Sequence, residues 1–281
     1  MSSTQTQKLV DEHFARVAPQ WHELYSQNDV FAVIHQYRRD VALGLIQKQN
    51  LSGGCPILDI GCGAGVLTVE LARRGYRVNA IDAVPAMVAL TKKNAVEAGI
   101  SDHVSAETGD AHNLAFKSAA FDCVVAMGIT PFLHSLPEAL KEISRVIKSG
   151  GLLVINSDNR WRLTRVLDPL LSPLTAWLRK SLKRILALLR LREPKQEPRL
   201  VHMYSNREFI SLLRDAGLEV MEARAIGFGP FSFCERRLFS DRMGVKIHWL
   251  LQSWAERFSV LRAVGSQTIV LAQKRPLVSG R

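Results

Sequence analysis

Nowhere in the 281 residues do eighteen consecutive positions lack Asp, Glu, Lys and Arg, so no membrane-spanning helix is expected. The first 25 residues are too polar for the apolar core of a signal peptide, and a cytosolic protein is the expectation. Cysteine is scarce. Cys55, Cys62, Cys123 and Cys234 show neither C-x-x-C spacing nor a histidine at zinc-ligand distance, which argues for reduced core or loop residues and against a metal site. An apolar share of 47% is enough to build a full core.

Positive charge is plentiful but uneven. The net charge is +11, and residues 160–192 hold nine Lys or Arg against one Asp, a net of +8 that leaves only +3 for the rest of the chain. The charge therefore describes one segment and not the whole molecule.

Chemistry enters at Pro56-Ile57-Leu58-Asp59-Ile60, where four residues with apolar side chains surround one carboxylate. Gly61, Gly63 and Gly65 follow at alternate positions, and Val66–Ala72 then starts a helical repeat. This reads as strand, tight turn, helix. Alternate glycines permit positive φ and let a ligand approach main-chain N–H groups without meeting a Cβ. A dinucleotide loop wants G-x-G-x-x-G, but its third glycine would fall at Val66, and Asp59 before the turn would repel a phosphate. A cationic ligand without phosphate fits better. S-adenosylmethionine, a sulfonium with an α-ammonium group, is such a ligand.

The run Ile57–Gly65 resembles motif I of the class I S-adenosylmethionine-dependent methyltransferases, and three further pieces follow at that family's spacing. Arg77–Asp82 is a second strand ending in a carboxylate seventeen positions after Gly65; Gly109-Asp110-Ala111 comes next; then Phe121–Met127 and Lys148-Ser149-Gly150-Gly151, which looks like the turn into strand five. The resemblance implies that Asp82 accepts the ribose hydroxyls and Asp110 the adenine amino group. Asp59, Gly61, Cys62, Gly63, Gly65, Ala83, Ala111 and Met127 complete the implied cofactor site. The implied fold is α/β, a Rossmann-like seven-stranded class I methyltransferase sheet with an antiparallel seventh strand, an N-terminal helical cap and a helical insertion after strand five. Strands are expected at 56–60, 76–82, 103–108, 121–127 and 152–157, with helices at 64–74, 85–98 and 136–148 between them. The chain then divides into a cap (1–50), the cofactor-binding half (51–157), a basic insertion (158–204) and the C-terminal half (205–281).

Members that methylate amide or base nitrogen carry Asn/Asp-Pro-Pro-Tyr after strand four, whereas this chain reads Ala126–Phe132, which argues against nucleic-acid or protein N-methylation. The aromatic-containing stretches around Phe14–Trp21 and Phe31–Arg39 resemble the N-terminal helices of quinone-pathway (ubiquinone biosynthesis type) methyltransferases. Where an acceptor must lose a proton, His134, His22 and His35 are the candidate bases. Phe228, Phe231 and Phe233 are candidates for an apolar acceptor pocket.

In the insertion, Leu174, Trp177, Leu178, Leu182, Ile185, Leu186 and Leu189 recur three or four apart, and Arg179, Lys180, Lys183, Arg184 and Arg190 fall on the other side. Such a helix suits an anionic membrane surface. Its cationic face lacks the aromatics that single-stranded nucleic acid binding uses, so nucleic acid is not an expected partner. The expectation is O-methylation of a lipophilic small molecule, phenol-like or lipid-linked, at a membrane surface. The alternatives are C-methylation, or a soluble natural product or sugar with the insertion as a lid. A non-catalytic membrane-associated binding protein on the same fold would be expected to have lost Gly63 or Asp82, and both are present.

Overall fold

A computed structural model describes residues 10–12, 14–16, 27–168, 171–178, 201–233 and 236–275. The strands are β1 (Pro56–Ile60), β2 (Arg77–Asp82), β3 (Val104–Thr108), β4 (Phe121–Ala126), β5 (Ile147–Asp158), β6 (Leu218–Ile226), β7 (Ser232–Phe233), β8 (Arg236–Arg237) and β9 (Gln267–Lys274). Seven of them form one sheet in the order β3-β2-β1-β4-β5-β9-β6, and β7 and β8 make a separate two-stranded ribbon. Strands β1 to β5 run parallel, while β9 lies antiparallel between β5 and β6.

The helices are α1 (Val30–Gln47), α2 (Val66–Arg73), α3 (Pro85–Glu97), α4 (Leu136–Val146), α5 (Leu163–Leu167), α6 (Asn206–Asp215), α7 (Asp241–Arg257) and α8 (Ser259–Ala263). Both sheet faces are covered, as a parallel sheet requires. Successive strand residues point to opposite faces. Leu58, Val124 and Leu153 therefore pack with α4 and α6 in one core, and Ile57, Cys123 and Val154 pack with α1 and α2 in the other.

Local signals set the element ends. Pro85 opens α3 at a position whose missing N–H costs nothing. Ser205 and Glu208, spaced three apart as a Ser cap and its Glu partner, form a capping box on α6, each accepting from the other's backbone N–H. Lys274, at the end of β9, donates to the Ser144 and Ile147 carbonyls where α4 stops.

Two boundaries differ from expectation. β5 starts at Ile147 and not at 152, because Ile147 already pairs with Phe121; the register then shifts before Cys123 pairs with Leu152. Lys148–Gly151 is thus an irregularity within the strand and not a turn ahead of it, with Gly150 at φ 73°. The sequence pattern predicts a further helix around 245–258, and α7 begins four residues earlier, at Asp241. Residues Arg179–Arg190 of the amphipathic segment lie outside the described residues, as do His22, Trp21, Tyr25 and Cys234. No helix among the described residues is long and apolar enough to cross a membrane.

Candidate active site

β1 ends in a turn that only glycine makes cheaply: φ is 71°, 55° and 75° at Gly61, Gly63 and Gly65. A Cβ at Gly61 would overlap the Ile129 side chain, and one at Gly65 would lie 2.8 Å from Thr91. The expectation that this turn offers its N–H groups to a ligand is corrected by the structure. Gly61 and Cys62 donate to the Ile81 carbonyl (2.7 and 3.0 Å), Gly65 to the Cys62 carbonyl (2.9 Å) and Gly63 to Asp82 Oδ2 (2.9 Å). On the α3 side, Thr91 and Asn94 donate to the Gly63 and Ala64 carbonyls, each at 2.8 Å. With the Gly61, Cys62, Gly63 and Gly65 donors spent internally, the turn is a poor phosphate cradle. The charges left beside it are carboxylates, which fits the cationic cofactor.

Asp59 is almost fully buried and accepts from Thr68 Oγ1 at 2.6 Å. Burial raises its pKa to about 6; the Thr68 bond pulls it down, and neighbouring Asp82 pushes it further up. An ionised Asp59 favours a cationic ligand and a protonated one does not. S-adenosylmethionine affinity is therefore expected to rise as pH increases from 5 to 7.5, and Asp59→Asn to flatten that dependence, both readable by calorimetry.

Asp82 closes β2. It accepts from the Gly63 and Val84 N–H groups at 2.9 Å each, and burial raises its pKa although both bonds oppose this. Asp110 sits past the end of β3 and accepts from the His112 N–H (2.9 Å), with His112 Nδ1 at 2.8 Å. Burial raises the pKa of Asp110, but the His112 bonds outweigh it and the net shift is downward. Burial pushes the Cys62 thiol well above its ordinary value, which makes it a small packing group and no nucleophile.

These residues surround one cavity of about 350 Å³ at the carboxyl ends of the parallel strands. Asp59, Gly61, Cys62, Gly63, Asp82, Ala83, Asp110, Ala111 and Met127 all line it. Gly65 does not; it packs against Thr91 on α3. Val10, Phe14, Phe31 and Ile34 close the cavity from the N-terminal side, with Phe14 edge-on to Phe132 at 4.9 Å. Such a cover excludes water.

Of the three histidine candidates, His22 lies outside the described residues. His134 does not line the cavity: its ring stacks on His112 with centroids 3.5 Å apart, and its Nε2 lies 3.7 Å from Glu138. His35 lines it, but burial, with Arg38 adding, lowers its pKa to about 3, and its Nδ1 bonds the Phe31 carbonyl at 2.8 Å. A base that weak is poorly matched to proton abstraction near neutral pH. The phenylalanine expectation also fails. Phe228 is in the core and Phe233 is exposed, while Gly229 and Pro230 between them reach the cavity.

Sequence reasoning missed Arg38, Arg162, Asp158 and His112, all of which line the cavity. Asp158 had a usable signal, since it ends β5 as Asp82 ends β2. It accepts from Gln267 Nε2 at 2.8 Å, and burial raises its pKa, with Arg162, Arg38 and the Gln267 bond working against the rise.

A methyltransferase-domain family matches residues 58–155, the span that carries β1 to β5. The chain carries a class I S-adenosylmethionine-dependent methyltransferase domain. Over 157 residues it is 27% identical to the mitochondrial ubiquinone biosynthesis O-methyltransferase of Schizosaccharomyces pombe, covering 56% of this chain and 57% of that one. Over 110 residues it is 34% identical to the uncharacterized methyltransferase YodH of Bacillus subtilis, covering 39% and 46%. The chain thus spans about half the length of the curated relatives it matches. Among solved structures, magnesium protoporphyrin IX methyltransferase from Synechocystis PCC 6803 superposes with a TM-score of 0.62 at 18% identity, covering 95% and 99% of the two chains. The [4+2]-cyclase SpnF superposes with 0.63 at 18% identity over 97% of each. At such identities these two establish the fold of the methyltransferase domain and nothing finer.

Proposed function

We propose that this chain is an S-adenosylmethionine-dependent methyltransferase acting on an oxygen of a lipophilic small molecule at a membrane surface. The observation that carries the reading is the arrangement of Asp59 and Asp82 around a glycine turn whose Gly61, Cys62, Gly63 and Gly65 donors are spent, at one end of a cavity whose other end sets apolar side chains around Arg38, Asp158 and Arg162. When bound, the cofactor supplies a methyl group already activated by its sulfonium. The protein's own task is alignment in a dry site. In this reading Asp82 accepts the ribose hydroxyls and Asp110 the adenine amino group. Arg38, whose guanidinium nitrogens lie 3.1 and 3.3 Å from where a Gly128 Cβ would be, faces the cofactor carboxylate beside Met127. Asp158 receives the acceptor's proton.

Two things support oxygen and a lipid setting. Several of the matched relatives are named ubiquinone biosynthesis O-methyltransferases, among them one from Chelativorans sp. (strain BNC1) that is 28% identical over 162 residues, covering 53% of this chain and 61% of that one. Exposed apolar side chains also gather on α7 and beyond: Met243, Leu250, Trp254 and Phe258 recur four to seven apart, with Trp177 and Leu178 exposed within the insertion. A stripe of that kind with cations beside it suits a lipid interface.

The test is twofold. Calorimetry is expected to show S-adenosylmethionine binding, and binding of a nicotinamide cofactor in its place would reject the enzyme reading. The protein is expected to sediment with vesicles of anionic lipid at low salt and to be released as salt rises. Arg179, Lys180, Lys183 and Arg184 changed together to Glu are expected to abolish sedimentation without altering cofactor affinity. Indifference of the wild-type protein to such vesicles would leave the insertion a soluble lid.

A further inference from the structure

We propose that the acceptor carries an oxyanion, a carboxylate or a phosphate, and that Arg162 binds it. This rests on the methyltransferase reading and names the class of molecule the same cavity takes.

The wall of the cavity at the ends of β4 and β5 holds two guanidiniums, Arg38 and Arg162. Arg38 is buried on α1, and Arg162 precedes α5 just after β5. Neither forms an ion pair with a carboxylate of the described residues. Arg162 Nε is buried and has no hydrogen-bond partner at all. Burial shields Nε itself from the cavity, so it is the outer guanidinium nitrogens, without a carboxylate partner among the described residues, that meet an acceptor from outside the chain.

The acid of the chain that lines this end is Asp158, and one of its oxygens is already occupied by Gln267. Arg38 and Arg162 against Asp158 leave this end of the cavity positive, while the cofactor end carries Asp59, Asp82 and Asp110. S-adenosylmethionine brings a single carboxylate, which satisfies one guanidinium. Arg38, beside Gly128, is the nearer to the cofactor's end, so Arg162 is left over. An arginine fork is suited to a planar carboxylate or to two phosphate oxygens. The remaining wall here is apolar, with Phe31, Ile34, Phe132 and Pro230. An oxyanion head on an apolar body is therefore the ligand that leaves nothing in this pocket unpaired.

Three probes of one tail length separate the possibilities: decanoate, decyl phosphate and decanol, titrated into the full chain with and without saturating S-adenosylhomocysteine. At least one anion is expected to bind tenfold or more tighter than decanol, and the tighter of the two identifies the head group. Arg162→Gln is expected to remove that preference, Arg162→Lys to restore part of it, and neither to change S-adenosylhomocysteine affinity. Decanol binding as tightly as both anions, no binding by any probe, or an equal loss for all three in Arg162→Gln would overturn the proposal; the wild-type comparison alone decides it if the variants fail to fold. Failure of S-adenosylhomocysteine to bind strikes the methyltransferase reading instead, and the anion preference is still read on the free protein.

Discussion

Asp82→Ala is expected to weaken S-adenosylmethionine binding by at least ~100-fold. If Asp82 did nothing but meet the ribose, the loss would be that of one charge-assisted contact. The structure makes it a hub, because its two oxygens also hold the Gly63 and Val84 N–H groups and so tie the glycine turn to the start of α3. Hydrogen bonds to a charged group contribute about 1.5–3 kcal/mol each, and every 1.4 kcal/mol is tenfold in affinity. Removing the carboxylate takes the ribose contact away and releases the turn in one step. Calorimetry with S-adenosylhomocysteine, with circular dichroism to confirm the fold, reads the effect. A loss below about threefold would show that the ribose hydroxyls lie elsewhere.

Asp158→Asn is expected to lower kcat by about 10²–10⁴-fold with cofactor affinity unchanged, the usual range for removal of a general base. The raised pKa of Asp158 fixes the direction of the pH effect. The wild-type base must be ionised to take a proton, so activity is expected to fall as pH drops through that raised value. The variant is expected to lose this acid limb. The acceptor needed for the assay is found by label transfer from S-adenosylmethionine into a lipid extract. A normal kcat in the variant would leave the acceptor's deprotonation to solvent or to the acceptor itself.

The half of the molecule that repeats strand, turn and helix was legible in the sequence, because each unit announces itself within a few residues. The apolar run, the glycines and the strand-end carboxylates of β1 and β2 are neighbours in the chain, and Asp59 and Asp82 meet at the same cavity. The acceptor end was not legible for the opposite reason. Arg38, Asp158, Arg162 and Gln267 come from α1, β5, the segment after it and β9, and only the sheet order brings them together. Histidine was favoured as the base by its chemistry. Position decided otherwise, since His134 is taken up by the His112 stack and His35 is too deeply buried to hold a proton.

The glycine turn shows a related limit. Its positive φ angles follow from composition, but the destination of its N–H groups depends on β2 lying alongside, where Ile81 and Asp82 collect them. A motif can thus indicate a binding loop while leaving open whether the loop binds through its donors.

The place of β9 sets a timetable for the growing chain. Among the described residues β6 pairs in the sheet with β9 alone, and about 40 residues separate the end of one from the start of the other. At synthesis rates of about 5–20 residues per second, β6 waits for seconds with its backbone groups unpaired while β1 to β4 already have every sheet partner and β5 lacks only β9. The cofactor half can therefore assemble on the ribosome first. Until β9 slides between β5 and β6, two strand edges are open to other chains. A factor that shields nascent strand edges would act during that interval.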